Sequence, residues 1–298
     1  MATAVAITGA TGNIGRALAE RLLKRGVAVR AIGRTADRLR PLVARGADAH
    51  VGDLADPDFL ARAFRGAGAV FAMIPQRFDV ADYHADQQRL VVGVTAALAA
   101  AGVPRVVALS TPGARLRLGL PAALADFEDR LRSTPGLSTV VLQPTYYMEN
   151  FLASIPMIAS ADITGGAVRG DLAVPMVATR DVAEVAAGYL ENPAFTGHAV
   201  RVLLGPRDYT FREASAILGA SIGKPDLAYA EIPYDGFRQG LVGAGVSASA
   251  ADAFLDMIRA MNEERMLRGL ARDASSTTPT TLEQFARDVF APVYRGTA

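Results

Sequence analysis

The sequence predicts a parallel, doubly wound α/β sheet with a smaller C-terminal lobe, and three observations predict it. Short apolar runs alternate with amphipathic stretches, the connections between them are brief, and a glycine-rich turn joins the first run to the first helix. With 298 residues, 51% of them hydrophobic, the chain can bury a core of its own without disulfides.

Ala4 to Thr8 reads AVAIT, a short run of strand formers, and the turn GATGNIG follows at once. From Ile14 the period changes. Ile14, Ala17, Leu18 and Leu22 share one helical face, Arg16, Glu20 and Lys24 lie off it, and Gly26 stops the helix. Val27 to Ile32 is a second strand, Ala36 to Arg45 a helix, and Asp48 to Gly52 a third strand. Asp56 to Phe64 forms a helix with Pro57 in its first turn, and AVFAMI at Ala69 to Ile74 is a buried strand halted by Pro75. A long helix spans Tyr83 to Ala101, with Leu90, Val94, Leu98 and Ala101 on one face; Gly102 and Pro104 end it before the strand Arg105 to Ser110. A helix at Ala122 to Arg132 and a strand at Ser138 to Gln143 follow.

Beyond Pro144 the regularity weakens. Thr179 to Leu190 is a helix with Val182, Val185, Ala186 and Tyr189 on one face, Ala199 to Leu204 is a strand, and Ala250 to Leu270 carries a helical pattern. Ser275 to Thr281 (SSTTPTT) is a loop by composition. The architecture is Rossmann-like: residues 1–150 form the core, and 151–298 form a smaller lobe over the carboxyl ends of the strands, with about 173–204 returning to the core.

Charge narrows the partners. Thirty-one basic residues against 30 acidic leave a net charge of +1, which gives no electrostatic footprint for nucleic acid and no polybasic membrane patch. No leader pattern and no long apolar span are apparent, so a soluble cytoplasmic protein, monomer or homodimer, with a small-molecule partner is expected. With no cysteine, and with His50, His84 and His198 far apart, no metal site is expected. All but two of the basic residues are arginine; the lysines are Lys24 and Lys224.

Gly9, Gly12 and Gly15 stand between a strand and a helix, where glycine lets the chain turn tightly and lets backbone N–H groups approach a pyrophosphate at the positive helix end. An NAD site places an acidic residue at the end of the second strand. Here that strand ends Ile32-Gly33-Arg34, with Arg38 one turn on, and two guanidiniums suit the 2′-phosphate of NADP(H). Asp53, after the third strand, is placed to accept from adenine; capping the next helix is the competing job, which Asp56 fills better.

These segments carry a resemblance. TGATGNIG at Thr8 to Gly15, Gly33-Arg34, GDLADPDFLARAF at Gly52 to Phe64, LQPTYYMENF at Leu142 to Phe151 and TRDVAEVAA at Thr179 to Ala187 together resemble the NmrA-like atypical short-chain dehydrogenase/reductases over nearly the whole chain. In layout, including PTTLEQFARD at Pro279 to Asp288, the chain is similar to the type 2 quinone oxidoreductases and triphenylmethane reductases of that family, which bind NADP(H) and reduce conjugated acceptors. The resemblance assigns Gly9, Thr11, Gly12, Asn13, Ile14 and Gly15 to the pyrophosphate loop, Arg34 and Arg38 to the 2′-phosphate, and Asp53 and Leu54 to adenine. It places Ile74, Pro75 and Gln76 on the path to the nicotinamide, and Pro144, Tyr146 and Tyr147 beside nicotinamide and substrate. Gln143 departs from the family pattern, which has arginine before that proline.

Mainstream members of the wider superfamily resemble one another in a Tyr-x-x-x-Lys acid, in which the lysine lowers the tyrosine's pKa. Neither lysine here follows a tyrosine by four residues. Reduction of a simple ketone is therefore disfavoured, whereas quinones, dye cations, imines and enones yield stabilised products when hydride arrives. The candidate proton donors or substrate clamps are Tyr146 and Tyr147, then Ser110 and Thr111; His84 reads better as a solvated residue at a helix start. The expected activity is transfer of hydride from NADPH to a conjugated acceptor. The alternative is a non-catalytic, redox-sensing NADP(H)-binding regulator that acts through protein partners.

Overall fold

Strands covered by helices on both sides carry apolar residues at successive positions, not alternate ones, and the first half of the chain supplies such strands. The computed structural model describes residues 4–297. It begins β1 (Val5–Ile7), α1 (Asn13–Lys24), β2 (Val29–Gly33), α2 (Ala36–Val43), β3 (Asp48–Val51), α3 (Pro57–Phe64), β4 (Ala69–Ala72), α4 (Tyr83–Ala100), β5 (Arg105–Leu109), α5 (Ala122–Ser133) and β6 (Ser138–Pro144). There follow β7 (Tyr146–Tyr147), α6 (Ile155–Ala161), β8 (Ile163–Gly166), β9 (Ala173–Val177), α7 (Thr179–Glu191), β10 (His198–Leu203), β11 (Asp208–Thr210), α8 (Phe211–Ser221) and β12 (Ala228–Glu231). The chain ends in α9 (Tyr234–Gly243), α10 (Ala248–Asn262), α11 (Leu282–Phe285) and α12 (Ala291–Thr297).

Seven parallel strands form the main sheet in the order β10-β6-β5-β4-β1-β2-β3, so the winding reverses between β1 and β4. Ile7 pairs with Ala31 on one side and Phe71 on the other. Alternate residues feed two cores. Ile7, Phe71, Val107 and Leu142 pack with Leu18, Leu39, Val182 and Leu190 under α1, α2 and α7. Ala6, Val70, Val106 and Val141 pack with Leu60, Leu90, Val94 and Phe127 under α3, α4 and α5. β10 and α7 come late in the chain, yet β10 pairs along β6, and α7 buries Val182, Ala186 and Leu190 in the same core as Leu18 and Leu22 of α1.

A third core belongs to the lobe, where Met148, Phe151, Val174, Met176, Phe211, Leu218, Phe285 and Phe290 are buried together. Its strands are short: β9 lies between β7 and β11, and β8 pairs with β12. The helix expected over Ala250 to Leu270 is shorter than its apolar pattern and stops at Asn262. Glu264 takes a left-handed conformation (φ 57), and Arg115 draws the carbonyls of Arg265, Met266 and Arg268 to its guanidinium, so they turn away from a helical ladder. Ser275 to Thr281 is irregular, but it is no solvated linker: Ser276, Thr278 and Thr280 are buried. Among the described residues no helix is long and apolar enough to cross a membrane, and no cluster of His, Asp or Glu is placed to hold a metal ion.

Candidate active site

The site is built at the carboxyl edge of the sheet, where β1 and β4 diverge. Thr8 locks that edge: its buried hydroxyl donates to the Phe71 carbonyl at 3.2 Å and accepts from the Met73 N–H at 2.9 Å. Gly9 then turns the chain at φ 64. A Cβ on Gly15 would lie 2.2 Å from the Gly9 carbonyl oxygen, so only glycine lets α1 start this close to the loop. Gly12 is the N-cap of α1 and supplies no side-chain cap, and the first turn holds no acidic residue. The leading N–H groups of α1 are thus left for an external anion, which is the fit a dinucleotide pyrophosphate requires. Thr11, Asn13 and Ile14 complete this loop, with Asn13 exposed and Ile14 turned into the core.

Thr11, Arg34, Thr35 and Arg38 line one shallow cavity beside this loop. Other arginines are engaged in ion pairs, as Arg25 is with Glu184 and Glu191. Arg34 and Arg38 are exposed, and neither has an ion pair or side-chain hydrogen bond among the described residues. Asp56 caps α3, accepting from the N–H groups of Asp58 and Phe59, both at 3.0 Å. Asp53 closes a local turn with the Ala55 N–H at 2.9 Å and remains exposed, whereas the Leu54 side chain is buried in the core beneath. An adenine laid here would meet the backbone of Leu54, not its side chain.

At the other end Ile74 is buried, and Pro75 and Gln76 follow it on the rim. Two residues not anticipated from sequence hold Gln76. Tyr83 donates to its Oε1, and Gln87 accepts from its Nε2 at 3.4 Å while donating to the Pro75 carbonyl at 3.0 Å. The signal was available in α4, where Gln87 interrupts the buried stripe of Tyr83, Leu90, Val91 and Val94.

Ser110 stands past the end of β5. Its hydroxyl donates to Glu128 Oε1, which also accepts from Gln143 Nε2 at 2.8 Å. That hydroxyl carries one proton and has given it to a carboxylate, so Ser110 offers lone pairs, not a proton, to a ligand. Gln143, where the family pattern has arginine, leaves Glu128 with neutral partners. Thr111 begins the turn after β5, and exposed His84 lies edge-on to the Tyr83 ring.

Tyr146 and Tyr147 follow Pro144 and point to opposite sides of β7. Tyr146 packs in the lobe, its ring 5.2 Å from that of Phe211 and 5.5 Å from that of Phe151. Tyr147 packs against the core under α1 and α7. Burial pushes both phenols up, so both keep their protons through the physiological range. Lys24 ends α1, and Lys224 pairs with Asp162 in the lobe.

Glu149 reaches the start of α7, accepting from the Thr179 N–H at 3.0 Å and from the Thr179 hydroxyl at 2.5 Å. Burial pushes its carboxyl up, against the Thr179 hydrogen bonds, and nearby Asp181 adds to the rise. A carboxyl raised on folding stabilises the fold in its protonated form, so its contribution is present at acid pH and lost as pH climbs through the folded value. Glu149→Gln is therefore expected to gain thermal stability over the wild type progressively from acid to neutral pH. Melting curves of both proteins across that range check it; a glutamine variant that is less stable at neutrality would show that α7 needs the charge.

The model of the NmrA-like family matches residues 1–286. The chain belongs to the NmrA-like family. This NmrA-like protein is 34% identical over 293 residues to a (4-alkanoyl-5-oxo-2,5-dihydrofuran-3-yl)methyl phosphate reductase of Streptomyces griseus, covering 95% of this chain and 93% of that one. It is 28% identical over 261 residues to an NAD(P)H azoreductase of Xenophilus azovorans, covering 85% of each. Among solved structures it is similar to an NADPH-dependent quinone oxidoreductase of Escherichia coli complexed with NADPH, with TM-score 0.79 and 25% identity over 96% of this chain and 99% of that one. The NmrA-like fold accounts for the sheet order and for the placing of the glycine loop at its switch point.

Proposed function

We propose that this protein is an NADPH-dependent oxidoreductase that transfers hydride to a conjugated acceptor without a Tyr-Lys acid. One observation carries the proposal. At the ends of β4, β5 and β6 the chain presents an amide (Gln76), a serine whose proton is given to Glu128, and two phenols held neutral by burial, and both lysines lie elsewhere. Such a site stabilises charge by orientation and hydrogen bonding. It suits acceptors whose reduced form is itself delocalised.

The names of the relatives agree with that chemistry. A 4-alkanoyl-5-oxo-2,5-dihydrofuran has a carbon–carbon double bond with two carbonyls attached to one of its carbons, and azo compounds and quinones are likewise conjugated. When bound, NADPH supplies the hydride. The first-turn N–H groups of α1 hold its pyrophosphate, and Arg34 and Arg38 its 2′-phosphate. Asp53 and the Leu54 backbone face adenine, and Ile74, Pro75 and Pro144 wall the nicotinamide end. Ser110 accepts a hydrogen bond there, and Tyr146 and Tyr147 flank the acceptor. In this proposal residues 1–150 hold the cofactor and the lobe of 151–298 covers the acceptor, while from the stretch 173–204 α7 and β10 return to the core and β9 stays in the lobe.

The test is the decay of NADPH absorbance with a panel of quinones, cationic dyes, enone lactones and cyclic imines. Turnover is expected with at least one class, and faster with NADPH than with NADH. Tight NADPH binding without decay against any acceptor would replace the enzyme by a sensor of NADP(H).

A further inference from the structure

We infer that Gln76 is the hydrogen-bond donor that meets the acceptor's oxygen as negative charge develops there, held in that orientation by Tyr83 and Gln87. This role presupposes the reduction of conjugated acceptors proposed above.

The orientation follows from donors and acceptors taken in turn. The Pro75 carbonyl can only accept, so the Gln87 group 3.0 Å from it is the NH2. Gln87 Oε1 then faces Gln76, and the Gln76 atom 3.4 Å away from it is Nε2. That leaves Gln76 Oε1 toward Tyr83, whose hydroxyl donates to it. The Leu120 carbonyl, 3.0 Å from the same phenol oxygen, can also only accept, so the phenol's single proton is shared between Gln76 Oε1 and Leu120. Tyr83 and Gln87 are 0% and 1% exposed, while Gln76 is exposed. Two buried side chains thus fix one surface amide, and its second N–H has no partner among the described residues.

The placement suits a reacting group. Gln76 lies just past β4, next to the switch point, and the loop it begins is fastened to the lobe. The Ser247 N–H donates to the Phe78 carbonyl at 2.7 Å, the Tyr83 N–H donates to the Ser249 hydroxyl at 3.1 Å, and the Phe78 ring lies 5.0 Å from that of Phe254. The amide therefore stands at the carboxyl edge of the sheet, at the start of a loop that ties the core to the lobe.

In the reaction a hydride leaves the dihydronicotinamide C4 and bonds to an electrophilic carbon of the acceptor. The cofactor is oxidised by two electrons and the acceptor reduced by two. The displaced π electrons come to rest on the conjugated oxygen. A preoriented amide N–H stabilises that oxygen without giving up its proton, and solvent protonates the released product. An acceptor that is cationic and loses its charge on reduction gains nothing from this donor, so Gln76 selects oxygen acceptors over dye cations.

The experiment compares wild type, Gln76→Leu, Gln76→Glu and Tyr83→Phe with a naphthoquinone and with a cationic triarylmethane dye, and measures NADPH dissociation constants by fluorescence. Gln76→Leu is expected to lower kcat for the quinone by roughly a hundredfold, as loss of one oxyanion donor does, with at least tenfold less effect on the dye and no change in NADPH affinity. Gln76→Glu shifts the ratio further toward the dye. Tyr83→Phe, which keeps the ring and frees the amide, gives a smaller shift in the same direction. Equal losses on both acceptors, or weakened NADPH binding with kcat preserved, would overturn the inference. Wild-type inactivity on every acceptor would instead overturn the reductase proposal, and this role with it.

Discussion

Replacing Gly15 by alanine is expected to abolish NADPH binding and to lower the melting temperature by several degrees, whereas Gly12→Ala weakens binding alone. The two glycines share one loop but meet different surroundings. The new methyl on Gly15 would lie 2.2 Å from the Gly9 oxygen and 2.7 Å from its carbonyl carbon, both backbone atoms that cannot swing aside. The start of α1 must move, at a cost of roughly 1 to 3 kcal/mol for overpacking. The movement carries the first-turn N–H groups away from the pyrophosphate. Gly12, at φ −87, has an ordinary backbone, and its Cβ would have only the Gly9 oxygen at 3.4 Å as a neighbour. Its methyl would stand where the pyrophosphate must approach, so a loss of about 3 kcal/mol, or roughly a hundredfold in affinity, is expected without loss of stability. Fluorescence titration with NADPH and thermal melts of the two variants check the contrast. Identical melts would show that the α1 start tolerates the shift.

The second large effect concerns the choice between NADPH and NADH. Arg34→Ala combined with Arg38→Ala is expected to weaken NADPH binding by roughly a hundredfold or more, since each guanidinium–phosphate hydrogen bond is worth roughly 1.5 to 3 kcal/mol. NADH affinity should barely change, because both side chains face a phosphate that NADH lacks. Among the described residues no carboxylate is paired to either, so no ion pair there must be broken for them to turn to the cofactor, and none of those carboxylates is left bare when they are removed. Dissociation constants for both dinucleotides decide it: a parallel fall in the two would show that the arginines support the loop and do not read the phosphate.

Legibility in the sequence followed the physics of each part. β1, β2, β4, β5 and β6 are readable because strands buried on both faces are largely apolar runs; β3 (DAHV), the half-exposed edge of the sheet, carries no such run. The glycine turn was readable because its function is backbone geometry. The lobe was not. β7, β8, β11 and β12 are two to four residues long and exist through partners distant in sequence, so no local period marks them. The end of α10 leaves no local mark because Arg115, far upstream, holds the carbonyls after it. At the site, single residues such as Arg34 could be proposed from position. The buried neighbours that orient Gln76 and Ser110 lie on helices, and only folding brings Tyr83, Gln87 and Glu128 to them.

The late return of α7 and β10 has a consequence for the order in which the molecule can be made. Synthesis runs from the N-terminus, and by the time β6 is complete the nucleotide loop and both of its flanking elements already exist. At that moment β6 is an open edge with unpaired N–H and C=O groups, and the Leu18 and Leu22 face of α1 lacks the Val182, Ala186 and Leu190 that will cover it. Closure waits until Leu203 has been added. The nascent chain must therefore carry an unfinished cofactor half through the making of β7, β8 and β9, none of which joins the main sheet. The segment that seals the Rossmann core is thus a timer set by chain length, and the first half has no finished state of its own until it runs out.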